Sequence, residues 1–284
     1  MKDKFVNVVV LGYGKIAAEV LQYVCQKRDM YAYQVSYIEH EIYPFNQAQK
    51  VAEENGVWGR VITDKKQLEN SLLEFDEKTL IVSANNNFLF SARLLEKPNI
   101  TVMNFHNALL PKFPGRNAPS WAIYEKERQT GITWHYVTKE IDAGNIIIQK
   151  QCEIGSDTKA YELAAELMEL AWKGFRECFT EVVEEKVQAL PQPAAANRRL
   201  YKSTEVPGNG EFSLTDSPTD IYRLLRALDY GKNSIFPSAE TFCEGKKIKV
   251  LGYKRITKDS VAEKTGVMNL PMEDGFLKIR YSEV

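Results

Sequence analysis

Over the first 106 residues short apolar runs alternate with stretches of helical period, and this alternation restricts the fold more than any other feature of the chain. Phe5 to Leu11 (FVNVVVL) reads as a buried strand. Gly12-Tyr13-Gly14 follows as a tight turn into a helix with Ile16, Ala17, Val20, Leu21 and Val24 on one face. Gln34 to Ile38 is the next strand and Glu39 ends it; Phe45 to Glu54 is helix, and Gly59 to Ile62 a short extended piece. Asp64 can cap a helix over Lys65 to Leu73, because its carboxylate can accept from the free amides of the first turn. Leu80 to Val82 is a strand, Phe88 to Leu95 a helix, and Ile100 to Phe105 another strand. The class is therefore α/β: a Rossmann-like, mostly parallel sheet with helices on both faces. Ligands of such sheets sit at the carboxyl ends of the strands, where Asn85 to Asn87, Asn104 and His106 fall.

The remaining chain changes character. Asp157 to Glu185 has the pattern of one long amphipathic helix capped by Asp157, with Leu163, Leu167, Leu170, Ala171, Phe175, Phe179 and Val182 on its apolar side. Ala189 to Arg199 (ALPQPAAANRR) has two prolines and no apolar period, as a linker would. Beyond it come a short helix, Asp220 to Leu228, capped by Thr219, and two strands, Lys246 to Tyr253 and Phe276 to Tyr281. The expected organisation is a first, α/β domain over residues 1–187, a linker over 188–203, and a small, mainly β C-terminal domain over 204–284. A chain of 284 residues is comfortable as two domains. The β-rich tail could also pair with a second subunit as a homodimer.

The formal net charge of −1 lacks the basic surplus of a protein living on nucleic acid, so a large phosphate-binding face is not expected. The cysteines, Cys25, Cys152, Cys178 and Cys243, form no CxxC and read as reduced thiols of a cytoplasmic protein. No run reaches membrane-spanning length, Met1 to Lys4 leaves no room for a signal peptide before the first strand, and no metal is expected.

Thr101 to Gln149 carries the chemistry. Asn104 and His106, at i and i+2 of a strand, point to one face. The loop Leu109 to Gly115 cannot be helix, since Pro111 and Pro114 restrict themselves and the residues before them. Thr130 to Thr138 is a second strand, and Asp142-Ala143-Gly144-Asn145 a turn. A histidine changes protonation near neutral pH, and an asparagine amide is a fixed donor to a developing oxyanion. Trp134 and His135 lie on opposite faces of their strand, one buried and the other near the sheet surface; Trp121 reads as core and His40 as surface. Two alternatives stand beside this. Gly12-Tyr13-Gly14-Lys15-Ile16-Ala17 with Glu39 fits a dinucleotide fingerprint, although any tight strand-to-helix turn favours such glycines. Asp142 could be a turn residue alone.

N-F-H-N-A-L-L-P-K-F-P-G-R-N-A-P, then T-G-I-T-W-H-Y-V, then I-D-A-G-N-I-I, resembles the 10-formyltetrahydrofolate-dependent formyltransferases, which include methionyl-tRNA, sugar-nucleotide and glycinamide ribonucleotide enzymes. Ala108 departs from the serine common before L-L-P, and Gly115-Arg116 with Pro119 is closer to the tRNA and sugar branches. The resemblance implies Asn104, His106 and Asp142 as the catalytic set, with Asn104 and His106 holding an oxyanion while Asp142 orients His106 and helps move a proton. It implies 10-formyltetrahydrofolate as formyl donor, its pterin lying between the loop from Ser83 to Phe90 and the segment from Thr138 to Asp142, with Asn87, Phe88, Leu89, Thr138 and Ile141 as contacts. Lys112 and Arg116 are loop cations placed to meet the acceptor. The acceptor it implies is a primary amine. The charge balance favours an amino-sugar nucleotide or other small amine over initiator tRNA, which stays open as the alternative, with a nicotinamide-dependent oxidoreductase further off.

Overall fold

The computed structural model describes residues 4–42, 47–194, 198–232, 235–257 and 265–284. The chain divides into two compact units that interleave in sequence: Met1–Gly115, Gly131–Cys152 and Glu166–Leu200 form one, and Arg116–Thr130, Glu153–Ala165 and Tyr201–Val284 the other.

The first unit is built on a seven-stranded sheet of order β3-β2-β1-β4-β5-β6-β7. Strands β1 (Asn7–Gly12), β2 (Gln34–Glu39), β3 (Trp58–Val61), β4 (Thr79–Ala84) and β5 (Ile100–His106) run parallel, while β6 (Gln129–Tyr136) returns antiparallel to β5 with β7 (Ile146–Glu153) beyond it. The fold is the mostly parallel α/β sheet that the alternation predicts. Val8 to Leu11 and Leu80 to Val82 are fully buried, because central parallel strands are covered on both faces. On one face Leu68 and Leu72 of α3 (Lys65–Leu73) and Leu94 of α4 (Ala92–Leu95) pack with Val9, Leu11 and Ile81. Helix α1 (Gly14–Tyr31) buries Ile16, Val20 and Val24, and its Tyr23 meets Phe175 and Phe179 of α6 (Ala160–Val183) edge-on. Trp134 is fully buried, its Nε1 donating to Ala171 O at 2.9 Å.

Local signals located most elements, and each departure traces to a specific partner. Asp64 caps α3, its carboxylate accepting from Gln67 N at 2.7 Å. The helix expected over Phe88 to Leu95 shrinks to α4, capped by Ser91. Its first half is consumed by Asn86, whose side chain binds Phe88 N at 2.8 Å and Phe88 O at 3.0 Å and draws the backbone out of helical geometry. Asp157 does not cap α6: it accepts instead from Tyr222 and Arg255. His40, expected at the surface, is buried, its Nδ1 against Ile62 O at 2.8 Å and its ring edge-on to Phe88. The beginning of the helix expected over Phe45 to Glu54 lies outside the described residues, and α2 is Gln47–Glu54.

The second unit holds an antiparallel sheet of order β10-β11-β9-β8, from β8 (Glu240–Cys243), β9 (Lys246–Ile256), β10 (Val267–Met272) and β11 (Gly275–Glu283). Helix α7 (Pro218–Leu228) packs Ile221, Leu224, Leu225 and Leu228 with Val250, Leu277 and Ile279. Its cap is Ser217 rather than Thr219, since Pro218 occupies the first helical turn and puts the capping position just before it. α5 (Ala118–Tyr124) belongs to the same unit and buries Trp121. Among the described residues no helix is long and apolar enough to cross a membrane.

The Gly12 turn serves packing. Gly12 has φ +153°, and a Cβ there would stand 1.9 Å from Ala84 O, so the crossing of β1 past the end of β4 admits glycine alone. Glu39, the acidic residue of the dinucleotide fingerprint, is 1% exposed and accepts from the Tyr37 hydroxyl. Gly12→Ala should therefore lower stability by about 3 kcal/mol in urea unfolding through the overpacked backbone contact alone. The unaltered protein should give no thermal shift with a nicotinamide dinucleotide.

Candidate functional site

The site begins at the carboxyl end of β5, where sheet register sets three polar residues side by side. Asn104 pairs with His135 of β6, and His106 with Thr133. Asn104 Oδ1 accepts from Ser83 Oγ at 2.7 Å, and its Nδ2 lies 3.2 Å from His135 Nε2. His135 Nδ1 is 2.9 Å from Tyr136 O, a carbonyl that can only accept, so the proton of the neutral ring sits on Nδ1 and Nε2 is free to accept from Asn104. With Asn86 Nδ2 donating to Ser83 Oγ at 3.3 Å, the hydrogen bonds run in one direction: Asn86 to Ser83, Asn104, His135 and the Tyr136 carbonyl. The amide of Asn104 is thereby fixed, and its second N–H has no partner among the described residues.

The same deduction orients His106. Its Nε2 is 2.9 Å from Phe113 O, so that nitrogen carries the proton and Nδ1 presents a lone pair 3.6 Å from Asp142 Oδ2. Asp142 Oδ1 is 3.5 Å from His135 Nε2, and Oδ2 accepts from Gly115 N at 2.7 Å. Burial is the largest influence on His106 and drives its pKa below the ordinary value; Asp142 pulls the other way, and His135 and Arg198 add to the lowering. Burial would raise Asp142, but its interactions with His106, with His135 and with the Gly115 N–H outweigh it and hold its carboxyl below the usual carboxylate range. At rest the cluster is an ionised carboxylate facing a neutral imidazole, with a place for one proton between them.

The turn that carries Asp142 is shaped for this. Asp142 itself has φ +52°, a left-handed conformation that aspartate tolerates better than most residues. Gly144 is required because a Cβ would lie 1.7 Å from Tyr136 O. Leu190 forms an isolated antiparallel β-bridge with Ile146 at the start of β7, its backbone hydrogen bonds 2.7 and 2.9 Å long, and Gln192 Nε2 donates to Asp142 O at 2.8 Å and Gly144 O at 2.9 Å. Leu190 and Gln192, in the stretch that reads as a linker, are thus hydrogen-bonded along the turn. Ala108 is fully buried, and the loop after it is held by the Thr133 hydroxyl, which donates to Ala108 O at 2.7 Å and accepts from Leu110 N and Gln149 Nε2. A serine hydroxyl at position 108 has no vacancy in the loop's support to fill.

Of the residues singled out in the sequence, Asn104, His106 and Asp142 converge. His135, expected to be one of two faces with only one buried, is 1% exposed and joins them; β6 is an interior strand covered on both sides, with Trp134 against α6 and His135 in the cluster. The signal that could have found it was its place beside Asn104 once β5 and β6 pair. Asn87 is half-buried and donates to Glu41, while Leu89 is 71% exposed. The Phe88 side chain turns into the core among His40 and Phe90, and its backbone is bound by Asn86. Thr138 is exposed, its hydroxyl bound to Glu140 O at 3.1 Å; the Ile141 carbonyl accepts from Arg198. Lys112 and Arg116 are exposed, and Arg116 lies in the second compact unit. Among the described residues no group of three or more His, Cys, Asp or Glu is arranged to hold a metal ion.

A buried histidine held neutral makes stability depend on pH with a definite sign. Below about pH 6.5 the unfolded chain takes up a proton that folded His106 refuses, so stability falls with pH by up to about 1.4 kcal/mol per unit for this group. The depressed Asp142 adds a loss that begins only near its unfolded value of about 3.9. Urea unfolding followed between about pH 7 and pH 5 should show a flatter slope for His106→Gln than for the unaltered protein.

The sequence profile of the family described as formyl transferase matches residues 7–178, well over half of the chain and all of this site. A methionyl-tRNA formyltransferase of Acetivibrio thermocellus is 30% identical over 171 residues, which are 60% of this chain and 53% of that protein. One from Alkaliphilus oremlandii is 29% identical over 181 residues, 64% and 56% of the two chains. The chain spans about half the length of these curated relatives. Among solved structures, the N-formyltransferase from Helicobacter canadensis, described in complex with folinic acid and dTDP-3-aminofucose, superposes with a TM-score of 0.74 at 17% identity, covering 99% of this chain and 100% of that one. A 4-N formyltransferase from Francisella tularensis gives 0.67 at 19% identity, over 85% and 94%. At such identities these likenesses speak for the fold alone. By the match of its own sequence from the first strand through the site to helix α6, the chain belongs to the formyl transferase family.

Proposed function

We propose that this protein is an N-formyltransferase that moves the formyl group of 10-formyltetrahydrofolate to a primary amine, most readily that of an amino-sugar nucleotide or another small amine. The observation that carries the reading is the fixed amide of Asn104 beside a neutral His106 whose Nδ1 lone pair faces the Asp142 carboxylate. The amine nitrogen attacks the formyl carbon, and the carbonyl oxygen becomes an oxyanion that accepts the unspent N–H of Asn104. His106 takes the surplus proton of the amine at Nδ1, directly or through a water, and Asp142 stabilises the imidazolium. That proton lies between His106 Nδ1 and the Asp142 carboxylate until the intermediate collapses. Collapse of the intermediate breaks the bond from carbon to N10, and the proton passes to N10; no covalent enzyme intermediate is needed.

The pterin would lie between the loop from Ser83 to Phe90 and the segment from Thr138 to Asp142, with Asn87 and Leu89 offering side chains and Thr138 and Ile141 the opposite rim. Lys112 and Arg116 remain the candidate acceptor contacts. For the acceptor, the support is electrostatic and architectural. Arg198, Lys246 and Lys247 are paired with Glu140, Glu283 and Glu240, so these cations are not a bare phosphate-binding surface. Likeness to the Helicobacter canadensis enzyme runs the length of both chains, whereas the matches to methionyl-tRNA enzymes cover about half of theirs. A cytoplasmic setting fits the free cysteines, of which Cys25 and Cys178 are buried.

Assays with 10-formyltetrahydrofolate and a panel of amino-sugar nucleotides, free amines and charged initiator tRNA should give turnover on the small amines. Robust formylation of tRNA with none of the small molecules would overturn the acceptor assignment. Asn104→Ala should lower kcat about a hundredfold or more, since an oxyanion donor supplies on the order of 3 kcal/mol. Asp142→Asn should do so with little change in KM for the donor.

A further inference from the structure

We infer that Gln192, with Arg198 as a second anchor, is a positioning residue for the carboxylate of Asp142, an inference that rests on the formyl-transfer reading of the site. The turn carrying Asp142 has little internal support. Its own hydrogen bonds are Thr138 Oγ1 to Glu140 O at 3.1 Å and a long one, 3.4 Å, from Ala143 N to the same oxygen. The carbonyls of Ile141, Asp142 and Gly144 are satisfied from outside it. One primary amide, that of Gln192, spans Ala143 by donating to Asp142 O at 2.8 Å and Gly144 O at 2.9 Å. The guanidinium of Arg198 binds the Ile141 carbonyl and the Glu140 carboxylate.

The chemistry of the position selects glutamine. Two acceptors close together need two hydrogens from one group, which an amide supplies and a carboxylate cannot. Gln192 is itself held from both sides: Pro191 has a fixed φ, Pro193 restricts Gln192 to extended backbone, and Leu190 is tied to Ile146 in both directions. The Pro-Gln-Pro run that reads as linker is a stiff mount for one side chain. What it holds is sensitive to small displacement. Asp142 Oδ2 must stay within reach of both Gly115 N and His106 Nδ1, 2.7 and 3.6 Å away, and a shift on the order of 1 Å in such a group can cost about a hundredfold in rate. Arg198 also places positive charge near His106, which opposes its protonation and keeps Nδ1 free to receive a proton.

The test uses Gln192→Met, which keeps the length and loses the donors, and Gln192→Glu, which keeps the shape and repels the carbonyls. Both should lower kcat by roughly tenfold or more while leaving KM for donor and acceptor within about twofold. Arg198→Lys should retain more activity than Arg198→Ala. The second readout needs no substrate: in protein labelled with nitrogen-15 at its 16 glycines, the Gly115 amide proton, shifted downfield by its bond to the Asp142 carboxylate, should move upfield in both Gln192 variants. Asp142→Asn is the reference for full loss of that bond. An unchanged kcat per folded molecule, even with a lower Tm, or an unmoved Gly115 amide in both variants would overturn the inference. Absence of formyl transfer by the unaltered protein would refute the proposed function instead, and the Gly115 amide would then decide the positioning role alone.

Discussion

The carboxylate of Asp142, 11% exposed and set between two imidazoles, is the constraint around which the site is arranged. A buried charge is costly unless its lone pairs are matched. Here the N–H of Gly115 donates to it on one side, and the ring nitrogens of His106 and His135 stand 3.6 and 3.5 Å away on the other; each of these groups has to be delivered by a different part of the chain. His106 comes from the end of β5, His135 from β6, and Gly115 from the end of a loop whose two prolines exclude regular structure. Around the carboxylate, the left-handed φ of Asp142 and the glycine two residues on give the turn the tight path it needs.

The hydrogen bonds around Asn104 obey a similar economy. Each donor from Asn86 to His135 meets one acceptor, and the chain ends on a carbonyl that cannot reverse the direction. It also joins the loop after β4 to the amide at the end of β5, so that the segment proposed to meet the pterin and the group proposed to meet the oxyanion share one network. Thr133 plays the corresponding part for the loop before Asp142's partner Gly115: its hydroxyl and Gln149 bind Ala108 O, Leu110 N and Leu110 O. With those groups satisfied, the serine that the resemblance leads one to expect at position 108 is dispensable for holding the loop.

Much of the fold was legible because its signals are local. Strand and helix alternation, the Asp64 cap and the breaking power of prolines each act within a few residues. The readings that failed depended on partners that periodicity does not register, most of them far away in sequence. His40 reads as surface until Ile62 and Phe88 arrive beside it, and residues 88–91 read as helix until the side chain of Asn86 competes for their backbone. His135 was assigned by strand alternation alone, which separates two faces but does not say that both are covered. Gln192 was invisible for the same reason: polar, between prolines and outside any apolar period, it carries the marks of a linker until the turn at Asp142 is placed against it.

By itself the sequence determined the parallel α/β architecture, the sharing of one face by Asn104 and His106, and the rigid loop that follows them, because periodicity and backbone sterics are properties of neighbouring residues. Tertiary structure alone decided that Asp142 is an ionised partner of two histidines rather than a turn residue. That outcome hangs on the register that sets Asn104 opposite His135, and on hydrogen bonds that close over 27 residues to Gly115 and 50 to Gln192, distances across which no local preference acts.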